Sequence, residues 1–273
     1  MQNITIIGAG WLGLPLAQYL KTIGFKVSAT RRTPSGIDEL THQNIEAITA
    51  DLAQPCSELE QYLSDNDVDT LIGSFPPGFR KDGGESYPTH WANLINIARR
   101  CKVKKIVMVS STSVYPSVAE DMTEEKASLA LAVEEESFDD KAKILLEAEQ
   151  HVISSGLEYA IVRCSGLVGP NRHPSRFAAK LPSVSCSAPA NMIHLQDAMG
   201  CISFAAANIT NQVVNASTPN TVSKEAFYQQ ALDNAGLSDT LPTVVDKPDK
   251  RIVSDKIIQL GYKFHFSHTL ELV

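Results

Sequence analysis

Short apolar runs rich in β-branched residues alternate along the chain with stretches whose apolar residues recur at helical spacing. The runs lie at residues 3–7, 25–30, 45–52, 69–75, 106–109 and 159–163. The helical stretches include residues 12–23, 90–100 and 141–155. Buried strands that alternate with amphipathic helices are typical of α/β proteins. The pattern therefore predicts a doubly wound parallel sheet, followed after residue 163 by a more polar, turn-rich region.

The first run ends in a glycine-rich turn, G-A-G-W-L-G at residues 8–13. The first glycine allows a tight turn, the second lets a pyrophosphate approach the backbone, and the third lets the helix pack on the strand. Unpaired N–H groups at the helix start then favour an anion. We predict a Rossmann dinucleotide-binding unit, the alternative being a turn with a structural role only. The predicted cofactor contacts are Gly8, Gly10, Trp11, Leu12 and Gly13.

The second strand ends in Arg31-Arg32. At this position a dinucleotide-binding fold meets the adenosine ribose, where an acidic residue favours NAD and a basic residue favours the 2′-phosphate of NADP. Two guanidiniums provide planar donors suited to a phosphate. We predict NADP rather than NAD, the alternative being a solvated basic strand end. Residues 33–36, T-P-S-G, are predicted to form a turn.

Polar or chain-breaking residues follow the later strands, at the edge where open α/β sheets bind ligands. At that edge the residues expected to bind the cofactor are Asp51, Phe75, Pro76 and Ser110. Thr112 is expected to bind the substrate, and Ser111 lies beside it. Residues 80–88, rich in glycine and charge, are a candidate mobile lid. In the turn-rich region, Arg172 and His173 are candidates for binding an anionic substrate such as a diphosphate.

Charge and cysteine content narrow the classes of function. The net charge is −7 and no long Lys/Arg cluster occurs, so a nucleic-acid partner is not expected. No apolar run reaches the roughly 18 residues of a membrane span, and the N-terminal run is interpreted as a strand rather than a signal peptide. We therefore expect a cytoplasmic protein. The five cysteines are scattered and never spaced C-x-x-C, which favours reduced thiols over disulfides or a metal site.

Several motifs together resemble the extended short-chain dehydrogenase/reductase superfamily, of the NAD-dependent epimerase/dehydratase type. They are G-A-G-W-L-G-L-P-L-A near the start, S-S-T-S-V-Y at 110–115, R-C-S-G-L-V-G-P-N-R at 163–172 and I-H-L-Q-D at 193–197. The combination is similar to the atypical YeeZ-like subgroup. The resemblance implies that Asp51 lies near the adenine amino group. It also implies that Ser111 hydrogen-bonds the substrate oxygen, with Ser110 and Thr112 beside it.

One departure from the family pattern concerns the acid/base group. The family uses a tyrosine four residues before a lysine, Y-x-x-x-K, on the helix after the serine motif. Here Lys143 has Asp139 four residues before it, and no tyrosine occurs between Tyr115 and Tyr159. Lys143 is expected to hold the nicotinamide ribose. For the acid, Tyr87 in the loop before the fourth helix, Tyr115 and Asp139 remain alternatives.

The first hypothesis is an NADP-dependent oxidoreductase or nucleotide-sugar epimerase/dehydratase-like enzyme, and the second is a non-catalytic NADP-binding redox sensor or regulator. The partners considered are a small-molecule substrate, a nucleotide sugar among the candidates, and a second copy in a homodimer. The predicted Rossmann domain covers 1–163, with 190–217 returning to it. A smaller substrate-binding region covers 164–273.

Overall fold

The computed structural model describes residues 2–80 and 83–273, and its regular elements alternate in the order expected of an α/β protein. The helices are α1 Gly13–Thr22, α2 Pro34–His42, α3 Ser57–Asp65, α4 Tyr87–Arg100, α5 Leu129–Glu134, α6 Asp140–Ile153, α7 Ser175–Ala178, α8 Leu195–Asn208, α9 Lys224–Asn234 and α10 Asp255–Gln259. The strands are β1 Asn3–Ile7, β2 Lys26–Arg31, β3 Glu46–Thr49, β4 Thr70–Gly73, β5 Lys105–Ser111, β6 Asp121–Met122, β7 Glu158–Cys164, β8 Gly166–Val168, β9 Val184–Ser185, β10 Met192–His194, β11 Gln212–Ala216, β12 Val244–Val245 and β13 Arg251–Ile252.

Seven strands of the described chain form the main sheet, in the order β11-β7-β5-β4-β1-β2-β3. Strand β1 pairs in parallel with β2 on one side and with β4 on the other, so that Ile6 lies opposite Ala29 and Ile72. The pairs β2/β3 and β4/β5 are parallel as well. The chain order reverses between β1 and β4, which is the switch point where doubly wound sheets bind ligands. This order confirms the predicted Rossmann-type α/β fold.

The chain divides into two compact units, each built from discontinuous segments. The first unit comprises residues 1–110, 140–162 and 202–213, and the second comprises 111–139, 163–201 and 214–273. Segment 111–139 therefore groups with the C-terminal residues, although we predicted it within 1–163. Within the range 190–217, which we predicted to return to the first domain, residues 202–213 fall in the first unit and the rest in the second. The domain bounds stay a prediction.

Two local expectations were wrong. Residues 33–36 do not form a free turn, because α2 begins at Pro34 and the Thr33 hydroxyl accepts a hydrogen bond from the Gly36 amide. Proline suits a first helical turn and threonine suits the capping position, so the same residues that indicated a turn start a helix. Helix α4 begins at Tyr87, one turn earlier than expected. Tyr87 is therefore helical, and part of the candidate lid at 80–88 (residues 81 and 82) lies outside the described residues.

The described residues were searched for a membrane-spanning helix and for a group of metal ligands. Within 2–80 and 83–273, no helix is both long and apolar enough to cross a bilayer. Over the same ranges, no group of three His, Cys, Asp or Glu side chains is arranged to hold a metal ion.

In the second unit, the C-terminal segment is anchored on one buried carboxylate. Asp197, in the first turn of α8, is 1% exposed and accepts hydrogen bonds from the backbone N–H groups of His265 and Phe266, at 2.8 and 3.0 Å. The Tyr262 hydroxyl donates to it at 3.0 Å. A charged acceptor shared by three donors makes stronger bonds than neutral acceptors do. Asp197 therefore stabilises the fold.

We expect Asp197→Ala to lower the free energy of unfolding by about 3 kcal/mol, because three part-buried donors lose their charged acceptor together. Urea unfolding, with hydrogen exchange of the His265 and Phe266 amides, measures the effect. The matched control is Asp233→Ala, which removes an exposed carboxylate paired with Gln229 and should cost under about 0.5 kcal/mol. Equal stability of the two variants would contradict the anchoring role.

Candidate functional site

The glycine turn is held tightly against the neighbouring strands. Gly8 has φ +91°, and its amide donates to the Thr30 hydroxyl at 3.0 Å. A Cβ on Gly8 would lie 2.9 Å from the Cβ of Phe75. A Cβ on Gly13 would lie 2.6 Å from the Gly8 carbonyl oxygen and from the Ser74 hydroxyl. Because real Cβ atoms do not approach so closely, both positions require glycine.

Gly10 differs from its neighbours because the space beside it is open. Apart from the adjoining residues Ala9 and Trp11, no atom of the described chain lies within 4 Å of a Cβ built on Gly10. Helix α1 starts three residues later, and no side chain within the described residues caps its first turn. A helix start of this kind favours an anion, and the missing Cβ leaves room for one. Trp11 and Leu12 lie between Gly10 and the helix, as the pyrophosphate prediction requires.

The end of β2 carries one paired and one unpaired guanidinium. Arg31 makes a 2.5 Å ion pair with Glu39 of α2, and its side chain packs over Gly36. The Nε of Arg31 is buried without an acceptor in the described part of the chain. Arg32 is exposed and has no ion pair or hydrogen bond among those residues. Both arginines directly precede α2 in the sequence, and a helix N-terminus is itself a favourable place for a phosphate.

The ends of β3 and β4 provide the next two predicted contacts. One carboxylate oxygen of Asp51 accepts from the Ala53 amide at 3.1 Å, while the other has no donor among the described residues. After β4, Phe75 stacks on Trp91 with ring centroids 4.8 Å apart, and Pro76 is exposed. The stacking fixes the direction in which the chain leaves β4.

Ser110 and Tyr87 belong to a buried cluster in the first unit. The Ser110 hydroxyl donates to the Glu149 carboxylate of α6 at 2.6 Å, and both residues are buried. Tyr87 is 2% exposed, with its ring 5.6 Å from that of Phe75. Burial raises the pKa of the Tyr87 phenol, and the Glu149 charge raises it further. The Ser110 hydroxyl is therefore directed into the protein interior, and the Tyr87 phenol is a poor proton donor.

Ser111 and Thr112 open a short 3₁₀ helix in the second unit. The Ser111 hydroxyl accepts from the Ser113 amide at 3.1 Å and so caps residues 112–114. Ser111 is half-buried, whereas Thr112 is buried. Of the predicted hydroxyls in this run, Ser111 is the more accessible to a substrate.

Tyr115, at the end of the same turn, has a structural role. Its hydroxyl donates to the Asn215 side-chain oxygen at 2.7 Å and accepts from Arg163 at 2.9 Å. The buried Arg163 guanidinium also donates to the carbonyls of Glu124 and Ala127. A buried charge requires acceptors of this kind. Both hydrogen-bonding functions of the Tyr115 phenol are used in this network, which joins segment 111–139 to Arg163 and Asn215 within the second unit.

The remaining predicted residues differ in accessibility. Lys143 in α6 is half-buried, with no ion pair or hydrogen bond in the described ranges. Arg172 is exposed and follows Asn171, whose φ is +62°. The His173 ring nitrogen Nδ1 lies 2.8 Å from the Ser175 hydroxyl at the start of α7. Lys143 belongs to the first unit and Arg172 to the second.

Sequence reasoning did not identify Glu149, Arg163 or Lys250. Arg163 begins the R-C-S-G motif, so a charged residue ending a buried strand was a usable signal. Glu149 lies on the buried face of α6, where a carboxylate breaks the apolar pattern. Lys250 contacts the carbonyl of Tyr115, 135 residues away in sequence, and no local pattern indicates that contact.

The sheet order, the glycine turn and the open start of α1 define a dinucleotide-binding protein of the α/β class. A family model described as NAD(P)H-binding matches residues 8–186, well over half of the chain. The chain therefore belongs to the NAD(P)H-binding family.

The comparisons with individual proteins agree with this assignment. Protein YeeZ of Escherichia coli (strain K12) is 26% identical over 279 residues, covering 99% of this chain and 98% of YeeZ. The structure of dTDP-glucose 4,6-dehydratase from Bacillus anthracis str. Ames in complex with NAD matches with TM-score 0.77 at 16% identity, over 99% of this chain and 94% of that one. UDP-glucose 4-epimerase with UDP-glucose from Thermotoga maritima matches with TM-score 0.76 at 15% identity, over 99% and 98%. The predicted resemblance to the extended short-chain dehydrogenase/reductase fold is confirmed.

The different surroundings of Gly10 and Gly13 predict different results of alanine substitution. Gly10→Ala should leave the melting temperature unchanged, because its methyl group meets no described atom beyond the adjoining residues. It should weaken NADPH binding by about tenfold or more by filling the anion site. Gly13→Ala should lower the melting temperature itself, because its methyl group collides with the Gly8 carbonyl. Thermal unfolding with and without NADPH measures both effects. Undiminished NADPH binding by Gly10→Ala would contradict the placement of the pyrophosphate.

Proposed function

We propose that this protein is an NADP-dependent oxidoreductase or epimerase-type enzyme acting on a polar substrate, with nucleotide sugars as the favoured class. The observation that carries the proposal is the open, uncapped helix start beside Gly10, which suits a pyrophosphate. Membership of the NAD(P)H-binding family supports it. The nucleotide-sugar names of the matched dehydratase and epimerase favour that substrate class.

The residues present fit a bound dinucleotide. Gly8, Gly10 and Gly13 would hold the pyrophosphate, with Trp11 and Leu12 at the helix start. Asp51 retains a carboxylate oxygen able to accept from the adenine amino group. Phe75 and Pro76 would cover the cofactor, and Lys143 would hold the nicotinamide ribose through its ammonium. Bound in this way, the nicotinamide supplies or accepts a hydride.

Selectivity for NADP follows in this proposal from the end of β2. The buried, unpaired Nε–H of Arg31 is a donor whose burial costs free energy until an acceptor binds. The exposed guanidinium of Arg32 adds a second positive charge, and no acidic residue occupies either position. A 2′-phosphate satisfies both groups, whereas the 2′-hydroxyl of NAD lacks the charge to do so.

On the substrate side, the Ser111 hydroxyl would polarise a carbonyl oxygen. It is half-buried, and the bond from the Ser113 amide holds its oxygen in place. Thr112 would support this turn, while Arg172 and His173 would bind an anionic group. We also propose a homodimer, on the ground of the family resemblance alone.

A non-catalytic NADP-binding sensor is the second candidate. Neither tyrosine considered as the acid is available to donate a proton, which favours this candidate. Tyr87 is buried, and the Tyr115 hydroxyl is hydrogen-bonded to Asn215 and Arg163. The two candidates differ in whether any substrate is turned over.

Arg32→Ala should lower NADPH affinity by about tenfold or more and leave NADH affinity unchanged, because a charged contact to the 2′-phosphate is lost. Titration followed by nicotinamide fluorescence measures both constants. Lys26→Ala, which removes an exposed lysine at the opposite end of β2, is the control and should alter neither. Equal losses for the two cofactors would contradict the selectivity proposal.

A panel of nucleotide sugars and polar carbonyl compounds, followed at the absorbance of reduced nicotinamide, tests catalysis. With a turned-over substrate, Ser111→Ala should lower kcat by about 10²-fold, because the substrate oxygen loses its hydrogen-bond donor. Ser117→Ala, an exposed serine just beyond the turn, should retain the wild-type rate. Binding of NADPH without turnover across the whole panel would favour the sensor.

A further inference from the structure

The family's tyrosine has no counterpart, so the proposed reaction needs another proton donor. No tyrosine occurs between residues 115 and 159. The phenol of Tyr115 already donates its proton to Asn215, and Tyr87 is buried with a raised pKa. A donor must therefore be sought among other titratable groups beside the serine-rich turn.

Lys250 meets this requirement by position. Its Nζ donates to the carbonyl oxygen of Tyr115 at 2.6 Å, at the end of the short turn that Ser111 begins. Its backbone is fixed by Asn191, which donates to the Lys250 carbonyl at 2.8 Å and accepts from the Ile252 amide at 2.9 Å. The ammonium is thus held at the turn that carries the proposed substrate hydroxyl, and all these residues belong to the second unit.

The Lys250 ammonium retains hydrogen-bonding capacity. An ammonium has three N–H donors, and in the described ranges the Tyr115 carbonyl is the one acceptor that Lys250 Nζ has. The side chain is half-buried rather than sealed in the interior. Two N–H groups are therefore available to a substrate oxygen.

Burial and the surrounding charges shift the pKa of the Lys250 ammonium in opposite directions. Burial lowers the pKa of Lys250 from its ordinary value, and the Lys224 charge lowers it further. Asp249, which pairs with Lys224 at 3.0 Å, and Asp139 both act to raise it. The net result is a lowered pKa, so Lys250 releases a proton more readily than an exposed lysine does.

Asp139 is a charged neighbour of Lys250 that occupies the sequence position of the family's tyrosine. It stands four residues before Lys143, the position that the family's Y-x-x-x-K pattern gives to the tyrosine. Its carboxylate acts electrostatically on Lys250. The carboxylate at the sequence position where the family has a phenol is thus one of the charges that act on Lys250.

We propose that Lys250, held at the Tyr115 carbonyl, donates the proton to the substrate oxygen. The role rests on the proposed function. In reduction, the carbonyl carbon gains the hydride that the reduced cofactor supplies, and the carbonyl oxygen takes one proton from Lys250. The lysine is left as a neutral amine and is reprotonated from solvent; oxidation runs the same exchange in reverse.

With a substrate from the panel, Lys250→Met should lower kcat by about 10²-fold or more while the dissociation constant for NADPH stays unchanged. Lys250→Arg separates proton donation from structural support. Arginine can still donate to the Tyr115 carbonyl but holds its proton throughout the working pH range, so it should not restore kcat. Lys247→Met, an exposed lysine of the same segment, should retain the wild-type rate.

Titration of Lys250 provides a readout independent of turnover. In protein labelled with [¹³C]lysine, the Cε resonance lost in Lys250→Arg should titrate below those of the exposed lysines. Asp139→Asn should move its midpoint to lower pH, and Lys224→Met should move it higher. The rate of carbonyl reduction should fall as pH rises through this midpoint, because the donor must be protonated.

The outcomes separate the two proposals. A wild-type rate in Lys250→Met, full recovery in Lys250→Arg, or titration of Lys250 with the exposed lysines would overturn the proton-donor role while leaving the proposed function intact. A wild-type protein that binds NADPH but reduces nothing in the panel would overturn the proposed function and this role together.

Discussion

The close approach of the glycine turn to the chain after β4 is the constraint on which the dinucleotide-binding unit depends. Gly8 lies against Phe75, and Gly13 lies against the Gly8 carbonyl and the Ser74 hydroxyl, with room for hydrogen and nothing larger. The Ser74 hydroxyl also donates to the Gly8 carbonyl at 2.8 Å. Strand β1, the turn and α1 are thereby locked to β4, so the open helix start beside Gly10 has a fixed position at the switch point of the sheet.

A close contact at a glycine also joins the end of β4 to α4. A Cβ on Gly73 would lie 2.2 Å from the Trp91 ring, so α4 packs directly on the end of β4. Trp91 in turn stacks on Phe75, which brings Tyr87 into the buried aromatic cluster. The position of the chain above the proposed cofactor site and the burial of the Tyr87 phenol therefore have one cause. Tyr87, which we expected in the loop before this helix, is instead the first residue of α4 and is buried.

The parts of the fold and site that could be predicted are those encoded locally. The strand, the spacing of Gly8, Gly10 and Gly13 and the helix that follows lie within two dozen residues, and each has its own signature. The start of α2 was missed because threonine and proline favour both a turn and a helix N-terminus. The environment of Lys250 could not be predicted, since its contact with Tyr115 spans 135 residues and depends on how Asn191 holds the segment.

Burial has opposite consequences for a phenol and an ammonium, and this difference bears on the chemistry of a chain without the family's tyrosine. An environment of low polarity disfavours the charged form, which is the phenolate of tyrosine but the ammonium of lysine. It therefore moves the pKa of Tyr87 further from neutrality and the pKa of Lys250 towards it. The usual tyrosine needs a neighbouring cation to become acidic enough, whereas a half-buried lysine needs a carboxylate to stop its pKa from falling too far. The charges around Lys250 act in these directions. Asp139 and Asp249 raise its pKa against the effect of burial, and Lys224 lowers it.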